Sequence, residues 1–523
     1  MPRTPKSILI ALILWAIIFA GIAAIVRFLI LPVFEEKRQA ALMDQTGSRG
    51  RYKHEIKLAV DNFSGYCLLR SPELASDLKQ DAIKLTLIDD GANYTKRTEA
   101  LKKGAVDMAV FPINSFLQTG AQLGSFPASI AYIIDETQGA DAIIAHKSQI
   151  KNIQDLNRKD ARIVATSDSP SEFLSRVLTA SFHLPEFPES GWLIEAEGST
   201  AAYERFRSEG DSNAHAYALW EPHVSRAKRD KNTVVLIDSS KLRGYIVDVL
   251  VIRRELLIKH YNLAKTFIEY YARTVYKNKD DMVSVVIEDS KRLGGDLSQD
   301  DARNIVDGIA WKNTLENRAH FGLLDNQSSQ ETIEDSILKI IDVLVKTGAL
   351  TKDPTQGKIR SLYFDQILKD MEAENFHPGR RLTIIEGIDP GKSDERLQAV
   401  DTLPALNPAQ WDSLLPVGEL RIQPIQFGRG TDRLTLQGKR DVKALAKTLE
   451  SWPGYYLVIT GRARQGGDES AALELAQRRA DATLTVLIEN GISRHRLKTK
   501  AVIDTSDSPE AQTVSFLVGQ LPY

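Results

Sequence analysis

Several short polar stretches carry the side chains best suited to holding a small molecule. Asn62-Phe63-Ser64-Gly65-Tyr66 follows an apolar run and leads toward a helical stretch. Backbone N–H groups at such a junction favour a sulfonate, phosphate or carboxylate, and Tyr66 adds a ring face or a hydroxyl. The competing reading is a plain connecting loop in which Gly65 only permits the turn. Asn114 and Ser115 stand in the matching place after another apolar run, where they either contact the same ligand or cap the next helix. Ser169 with Glu172 fits a capping box and Pro170 fits the first helical position, so any ligand contact by Ser169 is additional to a cap. Asp168 beside it repels an anion and argues for a zwitterionic or amine-bearing solute, unless it points to solvent. Trp220 offers an indole for stacking, and Glu221 either touches the ligand or caps the following helix. Asp248 reads as a hinge hydrogen bond, with core packing the default for Tyr94 and Trp311.

Motifs for catalysis are missing. His146, His183, His215 and His223 show no metal-ligand spacing such as HExxH, and neither a Gly-x-Ser-x-Gly elbow nor a phosphate-binding lysine motif occurs. Cys67 is the only cysteine, which rules out a disulfide within the chain and any cysteine-clustered zinc or iron–sulfur site. The expectation is a binding protein, not an enzyme, with no cofactor and no metal.

Elements that could position these residues alternate along the middle of the chain. Apolar runs at 56–60, 83–88 and 106–111, with a helical segment at 94–103, give β-α-β-α-β order and predict a parallel sheet with ligands at the carboxyl ends of its strands. The alternation restarts after 142–145 with a strand at 161–166, a helix at 171–180 and a strand at 216–220. Two α/β lobes joined by extended crossings form a cleft that can close on a ligand. At 523 residues the chain has room for about three domains of roughly 150 residues. Lys plus Arg number 67 against 69 for Asp plus Glu, a formal charge of −2, so nothing marks it for nucleic acid.

The extreme segment is at the start. From Ser7 to Val26 an uncharged apolar run of bilayer-spanning length follows Arg3 and Lys6, which orients the rest of the chain out of the cytoplasm. A signal peptide competes, because Ala20, Gly21, Ala23 and Ala24 are small residues of the kind a peptidase accepts. Both readings export the chain. The expected organisation is a cytoplasmic N-terminus and transmembrane anchor at 1–34, a spacer at 35–53, a two-lobed domain at 54–382, a Pro-rich linker at 383–418 and a last domain at 419–523. The linker is expected to separate two independent units.

The residues resemble a family over much of this length. VDNFSGY, ALKKGAVDMAVFPINS, GADAIIAHKSQIKNIQDLN, ALWEPHVSRA and GYIVDVLVIRREL occur in the order seen in solute-binding proteins of nitrate, sulfonate, taurine and thiamine-precursor importers. The resemblance implies a two-lobed α/β periplasmic-binding-protein fold with hinge crossings near 142–147 and 244–251. It also implies a small, anionic or pyrimidine-like solute delivered to an inner-membrane permease. A thiamine-pyrimidine synthase of similar fold carries a cysteine-rich metal motif that one cysteine cannot supply.

The tail is similar to the OmpA-like, peptidoglycan-binding domain, an α+β fold. IQFGRGTDRLTLQGKRDVKALAKTLESWP and ITGRARQGGDESAALELAQRRADATLTVLIENGISRHRL carry the likeness. Members of that family pair an Asp with the ammonium of diaminopimelate and an Arg with its carboxylate. Here Arg464 occupies the Asp position and Arg479 matches the Arg, while Ala472, Gln512 and Thr513 also depart from the pattern. Altered peptidoglycan contact, a protein-interaction module and an inert remnant all remain open. Taken together, the expected function is a membrane-anchored periplasmic receptor for a small, anionic solute such as a sulfonate, phosphate, nitrate or pyrimidine. The alternative is a structural protein of an envelope or stress-response complex whose binding fold serves as a docking surface.

Overall fold

The computed structural model describes residues 52–210, 213–324, 331–379, 395, 403–464, 468–504 and 514–521. The apolar run at 7–26, with the anchor expected there, lies outside the described residues, as does most of the 35–53 spacer. Among the described residues no helix is long and apolar enough to cross a membrane.

Strands β1 (His54–Ala59), β2 (Ile83–Ile88), β3 (Met108–Pro112) and β4 (Ala128–Thr137) begin the first lobe. The chain then leaves through 138–140 for a second lobe of β5 (Asp141–His146), β6 (Arg162–Ala165), β7 (Leu193–Glu195), β8 (His215–Trp220) and β9 (Thr233–Asp238). It returns through 239–246 to complete the first sheet with β10 (Val247–Arg253) and β11 (Ile309–Trp311). Spatial order is β11-β4-β10-β3-β1-β2 in the first lobe and β7-β6-β8-β5-β9 in the second. β1 is parallel to β2 and β3, and β6 to β7 and β8, whereas β10 and β5 run antiparallel to both of their neighbours. The sheets are therefore mixed, not parallel as the alternation predicts, because a strand arriving from the other lobe enters from the opposite end. The crossings also shift: 142–146 and 247–251 are strand, and the chain passes between lobes just before each. β3, β4 and β5 are buried along their whole length, as unbroken apolar runs require.

Helices α1 (Tyr94–Lys103) and α2 (Ile113–Leu123) belong to the first lobe, α3 (Pro170–Ser181) and α4 (His223–Lys228) to the second. A later helix, α5 (Ile333–Lys346), is capped by Thr332 and Asp335 and buries Ile337, Ile340 and Leu344. It packs on both α2 and α3, so one apolar helical face straps the two lobes together.

The last domain is a four-stranded sheet, β12 (Leu415–Glu419), β13 (Tyr456–Arg464), β14 (Leu497–Asp504) and β15 (Val514–Gln520), in the order β12-β15-β13-β14. Helices α6 (Leu436–Glu450) and α7 (Glu469–Glu489) complete it. The end of the expected linker is part of this unit. β12 pairs with β15, the Tyr456 hydroxyl donates to the Pro404 carbonyl at 2.8 Å, and the Trp411 ring lies 5.5 Å from that of Tyr456.

The two folded parts are not independent. The His183 N–H donates to the Glu419 carbonyl at 2.9 Å and the Arg421 N–H to the Ser181 carbonyl at 2.7 Å. Trp452 is fully buried with its ring 5.6 Å from Phe182, and its Nε1 donates to the Tyr245 hydroxyl at 3.3 Å. The Arg243 N–H donates to the Ser451 carbonyl at 2.7 Å, and Lys339 of α5 reaches the Ser451 hydroxyl at 3.2 Å. Apolar residues of both parts join in one continuous core. The last domain thus sits on the second lobe, on the return crossing and on α5. Composition showed the prolines near 383–418 but not the tertiary contacts that follow them.

Candidate ligand-binding cleft

Between the lobes lies a cavity of about 20 Å³, room for about one water molecule. Asp61, Phe63, Tyr66, Tyr94 and Asp248 line it from the first lobe, Asp141, Pro170 and Trp220 from the second, and Ile246 from the crossing. Strand ends place nearly all of them. Asp61 and Phe63 follow β1, and the Phe63 N–H folds back onto Asp61 Oδ1 at 3.0 Å. Tyr66 stands in the 3-10 turn Ser64–Tyr66 with its ring edge-on to Phe63, 5.2 Å away. Tyr94 opens α1, which Asn93 caps by accepting from the Lys96 N–H at 3.0 Å. Asp141 opens β5 directly opposite Trp220 at the end of β8, so one register fixes both.

The cavity is acidic and its nearby cations are engaged. Arg97, fully buried, donates through Nε to Asp90 at 2.7 Å and through Nη2 to Asp61 at 3.0 Å, with its guanidinium 4.8 Å from the Tyr94 ring. Asp248 of β10 is registered against Asp135 of β4, a like-charged pair on neighbouring strands. Burial pushes the Asp135 carboxyl up to about 8 and that of Asp141 up to about 7. Asp248 moves in the same direction, through burial and then through Asp135. Glu136 shows the contrast. It is also buried, which alone would raise it, yet Lys312 at 2.9 Å and the Gly244 N–H at 2.6 Å hold it down to about 2. Asp141 Oδ1 and Asp248 Oδ1 have no hydrogen-bond partner.

The lining is acidic where the sequence reading expects an anionic solute. The N–H groups expected to cradle an anion are spent within the turn: Phe63 on Asp61, Tyr66 on the Phe63 carbonyl at 3.1 Å, and Cys67 on the Ser64 carbonyl at 3.2 Å. Any anion would meet carboxyl groups instead.

Of the residues singled out in the sequence, Tyr66, Trp220, Tyr94 and Asp248 reach the cavity. Asn62 is exposed, and Ser64 and Gly65 are buried without lining the cavity. Gly65 lies against Asp135, whose Oδ2 would be 2.5 Å from a Cβ there, and its carbonyl accepts from Trp311 Nε1 at 2.7 Å. Asn114, Ser115 and Ser169 are fully buried where the lobes meet. Asn114 Nδ2 donates to the Ser169 carbonyl at 3.2 Å, the Ser115 hydroxyl to the Asp168 carbonyl at 2.6 Å, and Gln118 Nε2 to Asp168 Oδ1 at 3.0 Å. These residues form a seam that closes the cleft. Ser169 is also the cap of α3, accepting from the Glu172 N–H at 3.3 Å. Glu221 caps α4, accepting from the Ser225 N–H at 3.0 Å and its hydroxyl at 2.8 Å.

Sequence reasoning missed Asp61, Asp135 and Asp141 and gave Asp248 a hinge role. A signal was present: IIDET, GADAII and IVDVLV each set an aspartate inside or beside an apolar strand run. A carboxylate is costly there without a partner.

In the last domain α7 lies so close over β13 that a Cβ at Gly461 would strike the Ala476 carbonyl. Arg479 of α7 donates through Nε to the Thr431 carbonyl at 2.9 Å, its guanidinium 5.1 Å from the Phe427 ring. Residues 426–513 match the OmpA family. Within this OmpA-family domain Arg479 faces the 427–433 turn, and Arg464 closes β13 opposite Asp504. The side chain of Arg464 lies outside the described residues, as do Gln512 and Thr513. No curated protein matches the chain.

The two-lobed part is structurally like periplasmic binding proteins. A ligand-binding component of an ABC-type import system from Staphylococcus aureus, with zinc bound, aligns at 15% identity and a TM-score of 0.45, over 61% of this chain and 99% of that one. The periplasmic aliphatic sulphonate binding protein SsuA from Escherichia coli aligns at 16% identity and 0.43, over 60% and 99%. The Candida albicans CA3427 gene product, described as having the generic periplasmic binding protein fold, aligns at 14% identity and 0.46, over 60% and 96%.

Proposed function

We propose that this chain is a non-enzymatic envelope receptor, held in the inner membrane by its 7–26 segment, whose lobes outside the cytoplasm open and close on a small solute. Its OmpA-family domain contacts peptidoglycan or an envelope partner, and an inner-membrane permease is the natural recipient of a released solute. One observation carries the reading: a cavity lined by rings and carboxyl groups is divided between two lobes and sealed by a short seam of hydrogen bonds. Such a site is reached when the lobes part and enclosed when they meet. The test is calorimetric titration of the full-length protein with phosphate, nitrate, sulfonates, pyrimidines and small amines, beside an Asn114→Ala/Ser115→Ala seam variant. Binding by the native protein that the seam variant alters supports capture. Silence across the whole panel overturns it.

A second reading is favoured by the size of the cavity, which its own side chains nearly fill. There the closed two-lobed fold serves as a docking surface in an envelope or stress-response complex. It predicts that seam variants leave partner binding unchanged.

A further inference from the structure

Resting on the receptor reading, we infer that the cleft takes a small organic cation, an amine or quaternary ammonium compound, held between Asp141 and Asp248 and the rings of Phe63, Tyr66, Tyr94 and Trp220. The two carboxyl groups come from opposite lobes and are only 1% and 2% exposed. Both residues line the same cavity, and each has an Oδ1 with no hydrogen-bond partner. A buried acceptor left open costs stability, so its retention points to a donor that arrives from outside. Protein cations do not supply one, since Arg97 is taken by Asp61 and Asp90 and Lys312 by Glu136.

The aromatic walls narrow the chemistry. Ring faces attract a diffuse positive charge, most strongly where water is excluded. They offer nothing to a bare metal ion that wants several oxygen ligands. Among the described residues no three His, Cys, Asp or Glu side chains converge as a metal site. A cation whose charge is spread over methylene or methyl groups suits both features. At about 20 Å³ the closed cavity is smaller than such a ligand, so the lobes stand further apart in the bound state than here.

The experiment uses full-length protein in calorimetry at fixed ionic strength, with choline, methylammonium and putrescine in one arm and ethanesulfonate, phosphate and nitrate in the other. Asp141→Asn and Asp248→Asn are run beside the native protein, with thermal unfolding of each. The expected result is that a cation binds and that each Asn variant weakens it at least about tenfold without lowering the unfolding temperature. Binding by anions alone overturns the cation and leaves the receptor reading standing. A cation that binds native and variant proteins equally overturns the site. Silence in both arms overturns the receptor reading along with it.

Discussion

Asp141→Asn tests the electrostatics of the cleft without any ligand. Burial raises the native carboxyl from 3.8 to about 7, and Glu221, itself raised by burial, adds repulsion. Folding therefore forces this group to take up a proton that the unfolded chain releases near pH 4. The resulting stability is fully present below about pH 4 and is lost as pH rises toward about 7. A rise of about three pH units at about 1.4 kcal/mol each gives a penalty of about 4 kcal/mol at neutral pH. Asparagine carries no such penalty, although its unmatched amide donor gives back about 1 to 2 kcal/mol. The variant is thus expected to lie about 1 to 2 kcal/mol below the native protein near pH 4 and about 2 to 3 kcal/mol above it near pH 7. Urea unfolding of the full chain, followed by tryptophan fluorescence, reads the difference, with Trp220 directly opposite the substituted residue. A difference between the two proteins that does not change with pH would refute the buried, protonated carboxyl.

Cation affinity is expected to rise with pH through about pH 7, because Asp141 and Asp248 must give up protons that their burial retains. Asp135, Asp61 with Arg97, Tyr66, Glu221, and Glu136 with Lys312 are the other charged or titratable neighbours. Binding heats that vary with the ionisation heat of the buffer check the proton release, and a flat profile contradicts it. Trp452→Ala should cost about 3 to 5 kcal/mol and expose the amides at 181–183 and 243–246 to hydrogen exchange. Unchanged exchange there would show that the OmpA-family domain does not brace the crossing. Arg464→Asp places a carboxylate where the OmpA-like pattern has one, so peptidoglycan pull-down of the full chain should increase; equal capture by both proteins defeats the argument from the missing carboxylate.

Much of this fold was legible because strand runs such as MAVFP and DAIIAH are buried on both faces and need no alternation to announce themselves. The helix start at Ser169 is equally local, its side chain closing the helix's own first turn. What sequence could not show was pairing at a distance. Asp248 meets Asp135 only through the antiparallel register of β10 on β4, and that register follows from a crossing, not from neighbours in the chain. Asn114 and Ser115 stand out in the sequence as polar groups at a strand end. Their partners are the backbone carbonyls of Ser169 and Asp168 on the facing lobe. The same limit hid the docked last domain, since Phe182 and Trp452 are ordinary core residues until they touch.

That docking gives the molecule a load path. β1 opens the described chain on the first lobe, while β12 fixes the last domain to the second. Whatever holds one end and whatever grips the other are therefore coupled in series through the seam of Asn114, Ser115 and Gln118 on Asp168 and Ser169, with α5 and the two crossings in parallel. The neutral bonds of Asn114 and Ser115 are worth about 1 kcal/mol each and that of Gln118 to the Asp168 carboxylate about 1.5 to 3 kcal/mol, little enough for a load across the seam to weigh against them. Pulling the first lobe and the last domain apart and filling the cleft would then draw on the same gap, so a load between them would set how readily the clip opens.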